Sequence, residues 1–148
     1  MLEIAQSTSF QAYAACSAAL IFNLLFLAGS TAVARSKAQQ MLNPEDQKLN
    51  AEGTVVSGDA DAGARYVRAH RNALENIPMF LVAGLTYTLV SPPETIAISL
   101  LAAFTALRWL HSFAYLRGVQ PWRTLSFGLS SLALLGIAAH TTIIVFTT

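Results

Sequence analysis

Charge is what this 148-residue chain has least of: Asp, Glu, Lys and Arg make up 11% of it, against 54% hydrophobic residues. A soluble domain of this length cannot bury so much apolar side chain, so the excess needs a second solvent. A net charge of +1 leaves nothing to neutralise a phosphate backbone and argues against nucleic acid as a partner. Cysteine occurs once, at Cys16 inside an apolar stretch, which excludes a disulfide framework and any paired-cysteine metal spacing. No metal is expected. Internal repeats and low-complexity tracts are absent as well.

What is present is apolar and long. A bilayer core of about 30 Å takes about 20 apolar residues per helix, and uncharged runs near 10–34, 73–90, 95–116 and 122–146 supply four such spans. The expected architecture is all-α: a single four-helix transmembrane domain over residues 1–148. The hydrophilic stretch 35–71 lies between the first two spans, helical at both ends and a loop around Gly53 and Gly58. Ser91-Pro92-Pro93-Glu94 leaves room only for a tight turn between spans two and three. Ala32-Val33-Ala34 resembles a leader cleavage site, but the run before it is long and no Lys or Arg precedes it, so it reads as a span.

Orientation follows from the cations. Arg35, Lys37, Lys48, Arg65, Arg68, Arg71, Arg117 and Arg123 all fall on the side of the long loop, which the positive-inside rule makes cytoplasmic. Both termini then lie on the opposite side.

A charged side chain in the bilayer costs about 2.5–3.5 kcal/mol on insertion scales, so polar groups inside the spans are functional candidates. Arg68, Arg71, Asn72 and Glu75 fall at i, i+3, i+4 and i+7 of the second helix, a polar face expected to point inward. Arg108, His111 and Tyr115 form a second stripe on the third helix. Asn23, Leu27, Thr31 and Arg35 align on the first, and Arg123 opens the fourth. The plainer reading has the arginines reaching for the interface and Glu75 neutralising Arg71. His70 lies off the Arg68 face and His140 stands alone in an apolar span, so both read as structural. Forked arginines suit carboxylates, Glu75 suits an ammonium, and Asn72 and Tyr115 suit amides. Glutathione carries that set of groups, and other dicarboxylic or phosphorylated ligands meet the same charge argument.

The run Arg68-Ala69-His70-Arg71-Asn72-Ala73-Leu74-Glu75-Asn76-Ile77-Pro78 resembles the second-helix signature of the membrane-associated proteins in eicosanoid and glutathione metabolism. Asn43-Pro44-Glu45-Asp46 is similar to that family's loop motif, Arg108-x-x-His111-x-x-x-Tyr115 to its third-helix motif, and Arg123-Thr124-Leu125-Ser126-Phe127 to the start of its fourth helix. The order and spacing agree along nearly the whole chain. The nearest branch holds the microsomal glutathione transferases and microsomal prostaglandin E synthases.

That resemblance implies a homotrimer with glutathione sites between neighbouring subunits, open to the cytoplasm. Thr31 and Arg35 would reach the adjacent subunit's ligand, and Arg68, Arg71, Asn72 and Glu75 would hold its backbone groups. His111, Tyr115, Thr124 and Phe127 would line the pocket with Arg108 in support, Arg123 would face the sulfur, and Asp46 matches an acid given a catalytic role in the prostaglandin synthases. Those synthases carry serine and tyrosine where this chain has Thr124 and Phe127, Pro78 falls one residue early, and the loop before Arg123 differs in length. The implied activity is a glutathione transferase or peroxidase acting on lipophilic electrophiles or lipid hydroperoxides. The alternatives are a prostaglandin-E-synthase-like isomerase and a non-catalytic lipid-binding scaffold.

Overall fold

A computed structural model describes residues 2–48, 53–58 and 61–147. The fold is all-α. A short helix α1 (Leu2–Gln6) precedes four long helices: α2 (Thr8–Lys37), α3 (Asp61–Leu89), α4 (Glu94–Arg117) and α5 (Gln120–Thr147). Sequence reasoning placed no element before residue 10. The separation of α1 from α2 is made by Ser7, whose extended backbone stops the first helix and whose hydroxyl caps the Phe10 N–H at 3.3 Å.

Between α2 and α3 the polar segment contains a 3₁₀ turn, Pro44–Lys48, and a two-residue parallel pair, β1 (Gln40–Met41) with β2 (Thr54–Val55). Thr54 N–H donates to the Gln39 carbonyl at 2.9 Å and Val56 N–H to that of Met41 at 2.8 Å, which ties the two ends of the loop together. At the other end of the bundle Pro92 and Pro93 cannot continue a helix, and α4 starts directly after them.

Among the described residues three helices, α2, α4 and α5, are long and apolar enough to cross a membrane. The remaining long helix, α3, is interrupted by its own polar stripe, with Arg65, Arg68, Arg71 and Glu75 all exposed. That stripe dilutes its hydropathy. The core is apolar, built on Leu20 and Leu27 of α2, Ile77, Phe80 and Tyr87 of α3, Leu101 and Phe104 of α4 and Ile137 of α5. Phe80 and Phe104 stack at 4.5 Å across α3 and α4.

Lipid-solvated helices associate through close packing and interhelical hydrogen bonds, and both are visible. Tyr13 hydroxyl donates to the Leu81 carbonyl at 2.9 Å, tying α2 to α3, and Trp109 Nε1 donates to the Ala19 carbonyl at 3.1 Å, tying α4 to α2. His140, expected to stand alone, has a partner: its Nδ1 lies 2.7 Å from the Tyr87 hydroxyl, joining α5 to α3.

Gly84 permits the first of these contacts. A Cβ there would stand 2.9 Å from a Tyr13 ring carbon, so Gly84→Ala forces α2 and α3 apart or tilts the ring off its carbonyl partner. Overpacking of this kind costs about 1–3 kcal/mol. The apparent midpoint of thermal unfolding in detergent is expected to fall for Gly84→Ala and to hold or rise slightly for Gly29→Ala, whose Cβ meets nothing within 4 Å in a helix interior that favours alanine.

Candidate functional site

The deepest polar contact couples α3 to α4. Arg108 is buried, 1% exposed, and its Nη2 donates to Asn72 Oδ1 at 2.6 Å. Its Nε and Nη1 are buried without a partner among the described residues. A guanidinium withdrawn from water is costly, so the one short bond to Asn72 fixes that amide. With one lone pair of Oδ1 so engaged, the NH₂ of Asn72 is its free donor. Asn76 Nδ2 donates to the Asn72 carbonyl at 2.8 Å and steadies the same turn.

One turn along α4, His111 is also buried, and its Nδ1 donates to the Arg123 carbonyl at 2.9 Å. A carbonyl only accepts, so Nδ1 carries the proton and the neutral ring keeps Nε2 as a bare acceptor. That Nε2 has no partner among the described residues. The ring lies edge-on to Tyr115 at 5.6 Å and 5.8 Å from Phe127.

Arg123 is thereby held at both ends. Its carbonyl is gripped by His111, with the Ser126 hydroxyl at 3.3 Å, and its guanidinium carbon lies 4.9 Å from the centre of the Tyr115 ring. A cation over a tyrosine face is attracted by the ring quadrupole. This arrangement presents a positive group at the junction of α4 and α5, against the Tyr115 ring and on a residue whose carbonyl holds the His111 ring. The turn before it is set by Gly118, whose φ of 72° suits glycine and against which the Arg65 side chain packs. Thr124 is exposed and accepts from Gln120 Nε2 at 3.3 Å.

The α3 stripe corrects one expectation. It was read as a single inward face, but only Asn72 turns toward the chain's own interior. Arg68 is exposed, and Arg71 and Glu75, joined by a 3.1 Å ion pair, are 80% and 57% exposed. The spacing i, i+3, i+4, i+7 covers a broad arc of helix surface, wide enough for one end of the arc to meet α4 while the other leaves the bundle.

Thr31 and Arg35 occupy a different place, on α2. Thr31 is buried and donates back to the Leu27 carbonyl at 2.9 Å. Both line a cavity of about 260 Å³ that Val67 and His70 of α3 close from the other side. Arg35 also borders a second cavity of about 320 Å³ with Gln39, Asn43 and Asp46. The Asp46 carboxylate is held by Asn43 Nδ2 at 3.4 Å. The expected residues thus fall into three groups: Arg108, His111, Tyr115, Arg123, Thr124, Phe127 and Asn72 around α4 and the start of α5; Arg68, Arg71 and Glu75 on the exposed face of α3; Thr31, Arg35 and Asp46 along α2 and the loop.

Ser112 escaped sequence reasoning. It is buried, with its hydroxyl 3.1 Å from Asn23 Oδ1 and 3.0 Å from the Arg108 carbonyl, so it joins α2 to the polar stripe of α4. Its position four residues after Arg108 was the available signal.

Comparison with known proteins agrees with the motifs. Prostaglandin E synthase of Bos taurus is 31% identical over 132 residues, which take in 88% of this chain and 86% of the relative. Microsomal glutathione S-transferase 1 of Homo sapiens is 32% identical over 131 residues, 86% of this chain and 84% of the relative. The model of the MAPEG family matches residues 13–143. With apolar helices of membrane-crossing length and a match over most of its sequence, this chain is an integral membrane protein belonging to the MAPEG family.

Proposed function

We propose that this protein is a glutathione transferase with peroxidase activity toward lipid hydroperoxides, built as a homotrimer in one four-helix transmembrane unit per chain. The arginine-rich end faces the cytoplasm and both termini lie opposite. The observation that carries the reading is Arg123, a cation fixed through its own carbonyl by His111 and through its guanidinium by Tyr115. A fixed guanidinium beside a thiol favours the thiolate and lowers the thiol pKa, which is the activation glutathione requires.

The exposed stripe of α3 supports the oligomer. Arg68, Arg71 and Glu75 leave the single chain with hydrogen-bonding capacity directed outward, which suits a ligand shared with a neighbour. Thr31 and Arg35 on α2 would then supply the neighbour's half of the pocket. Glutathione's carboxylates meet the arginines, its ammonium meets Glu75, and the free NH₂ of Asn72 donates to a peptide carbonyl. Asp46 borders a cavity together with Arg35, which leaves its carboxylate available for the catalytic role that the resemblance implies.

The thiolate sulfur attacks an electrophilic carbon, forming a thioether and releasing a leaving group. With a hydroperoxide it attacks the terminal oxygen, the O–O bond breaks and the alcohol leaves after protonation. The resulting sulfenic acid is reduced by a second glutathione, giving the disulfide and water. The lipophilic partner arrives laterally from the bilayer. An isomerase reading is favoured by one observation, the similarity to prostaglandin E synthase over 88% of the chain. Thr124 and Phe127, which depart from the synthase pattern, speak for transfer.

Arg123→Ala is expected to weaken the ultraviolet thiolate signal of bound glutathione and to lower turnover on the order of 10²-fold. Because the thiol pKa rises, the pH–rate profile moves to alkaline pH and activity is partly recovered there. An unchanged profile with full turnover rules out this role. Product analysis with an aryl halide, a lipid hydroperoxide and a prostaglandin endoperoxide separates transfer, reduction and isomerisation.

Asn72→Ala removes the side-chain acceptor of the Arg108 guanidinium, leaving it only the backbone carbonyl at 3.5 Å, and is expected to cost about 1–3 kcal/mol of stability. Asn72→Asp restores the acceptor, so the thermal midpoint recovers, while its carboxylate repels glutathione and the Kd rises. Calorimetry and thermal scans on the two variants separate the roles; equal glutathione affinity in the wild type and Asn72→Asp would remove Asn72 from the ligand site.

A further inference from the structure

On the face of the bundle formed by α2 and α4 lie two apolar grooves with the same construction. The larger, about 460 Å³, runs along α2 past Leu25, Phe26, Gly29 and Val33 and ends at Lys37 and Tyr66. The smaller, about 160 Å³, runs past Leu110 and Phe113 of α4 and ends at Arg117, with Trp122 beside it. Each therefore closes on a cation accompanied by an aromatic side chain with a polar tip.

The grooves adjoin one another through a cluster of three rings. Phe26 lies 5.9 Å from Trp109 and 5.7 Å from Phe113, and Trp109 lies 5.5 Å from Phe113. The pairing of residue 19 with 109 and of 26 with 113 makes α2 and α4 parallel, so Lys37 and Arg117, the last residues of their helices, stand at the same end of the bundle. Among the described residues neither makes an ion pair or a hydrogen bond.

Dimensions identify the occupant. From Leu25 to Lys37 an α-helix rises about 18 Å at 1.5 Å per residue, close to the roughly 15 Å that one leaflet contributes to a 30 Å hydrocarbon core. The floor is apolar, and Leu25 and Val33 are more than half exposed. Gly29 leaves the middle of the groove open, since a Cβ there meets nothing within 4 Å. The α2 slot is of leaflet depth and the α4 slot, from Leu110 to Arg117, is about 10 Å long; each has a free cation at one end, which matches a longer and a shorter buried length of acyl chain beneath one anionic headgroup.

We propose that this face binds an anionic phospholipid, its acyl chains in the two grooves and its phosphate against Lys37 and Arg117. The site is on residues separate from those assigned to glutathione and stands whether or not the chain turns glutathione over. Basic residues at a membrane surface attract anionic lipids, and the attraction is screened by salt.

The chain's two tryptophans, Trp109 and Trp122, flank the grooves and serve as reporters. The full-length protein is reconstituted in phosphatidylcholine vesicles containing a rising fraction of bromine-labelled phosphatidylglycerol or, in parallel, bromine-labelled phosphatidylcholine. Tryptophan quenching is expected to reach half-maximum at a severalfold lower fraction of the glycerol lipid. Raising the salt to molar concentration abolishes that preference, and so does the double variant Lys37→Gln with Arg117→Gln. Gly29→Leu, which fills the larger groove, reduces quenching by both lipids. Equal quenching by the two lipids in the unaltered chain overturns the proposal, as does a preference that survives molar salt. Absence of quenching by either lipid means that a second copy of the chain covers the face, and overturns it as well.

Discussion

The Arg108 guanidinium has to be accommodated inside a bundle of apolar helices, and much of the polar geometry follows from how this is done. A 2.6 Å bond to Asn72 Oδ1, with a longer one of 3.5 Å to the Asn72 carbonyl, fixes α3 against α4 at that depth. It also decides which atoms of Asn72 remain available. The neighbouring Ser112 ties the same turn of α4 to Asn23 on α2, so three helices share one polar layer. His111 stands on the next turn, and through the Arg123 carbonyl it carries the registration to α5. Arg123 is therefore referenced to the interior of the bundle, although its guanidinium sits near the end.

Polar groups that would be expensive singly become a scaffold when they are chained together, because each bond fixes the donor or acceptor that the next one uses. The apolar layer beside them, with Phe80 stacked on Phe104 and Tyr13 against Gly84, supplies the close packing that hydrophobicity alone cannot supply in lipid. The arginines at the same end do different work. Arg108 holds helices together, Arg65 braces the turn at Gly118, and Arg68 and Arg71 point away from the chain altogether.

Much of this was legible in the sequence. Uncharged runs and the Pro92-Pro93 turn gave the four long helices, and the i, i+3, i+7 spacing of Arg108, His111 and Tyr115 marked a stripe whose first two members are buried. Spacing could not reveal which part of an arc a neighbouring helix covers. The α3 stripe therefore divided, with Asn72 going inward and Arg71 and Glu75 outward. Partners far apart in sequence were equally hidden: nothing local to His140 indicates Tyr87, and nothing local to Gly84 indicates Tyr13. The β1–β2 pair was missed because two-residue strands carry no periodicity.

The Tyr87–His140 bond lies at the end of the bundle remote from Arg123 and has mechanical meaning for α5. Seventeen residues separate His140 from Arg123 along one unbroken helix, about 25 Å at 1.5 Å per residue. The far end is pinned to α3 by that bond and the near end to α4 by His111 on the Arg123 carbonyl, so α5 is fastened at both ends of this span. A rod of that length turning by about 5° about one pin would carry its other end through about 2 Å, and the His111 bond removes that travel where the cation stands.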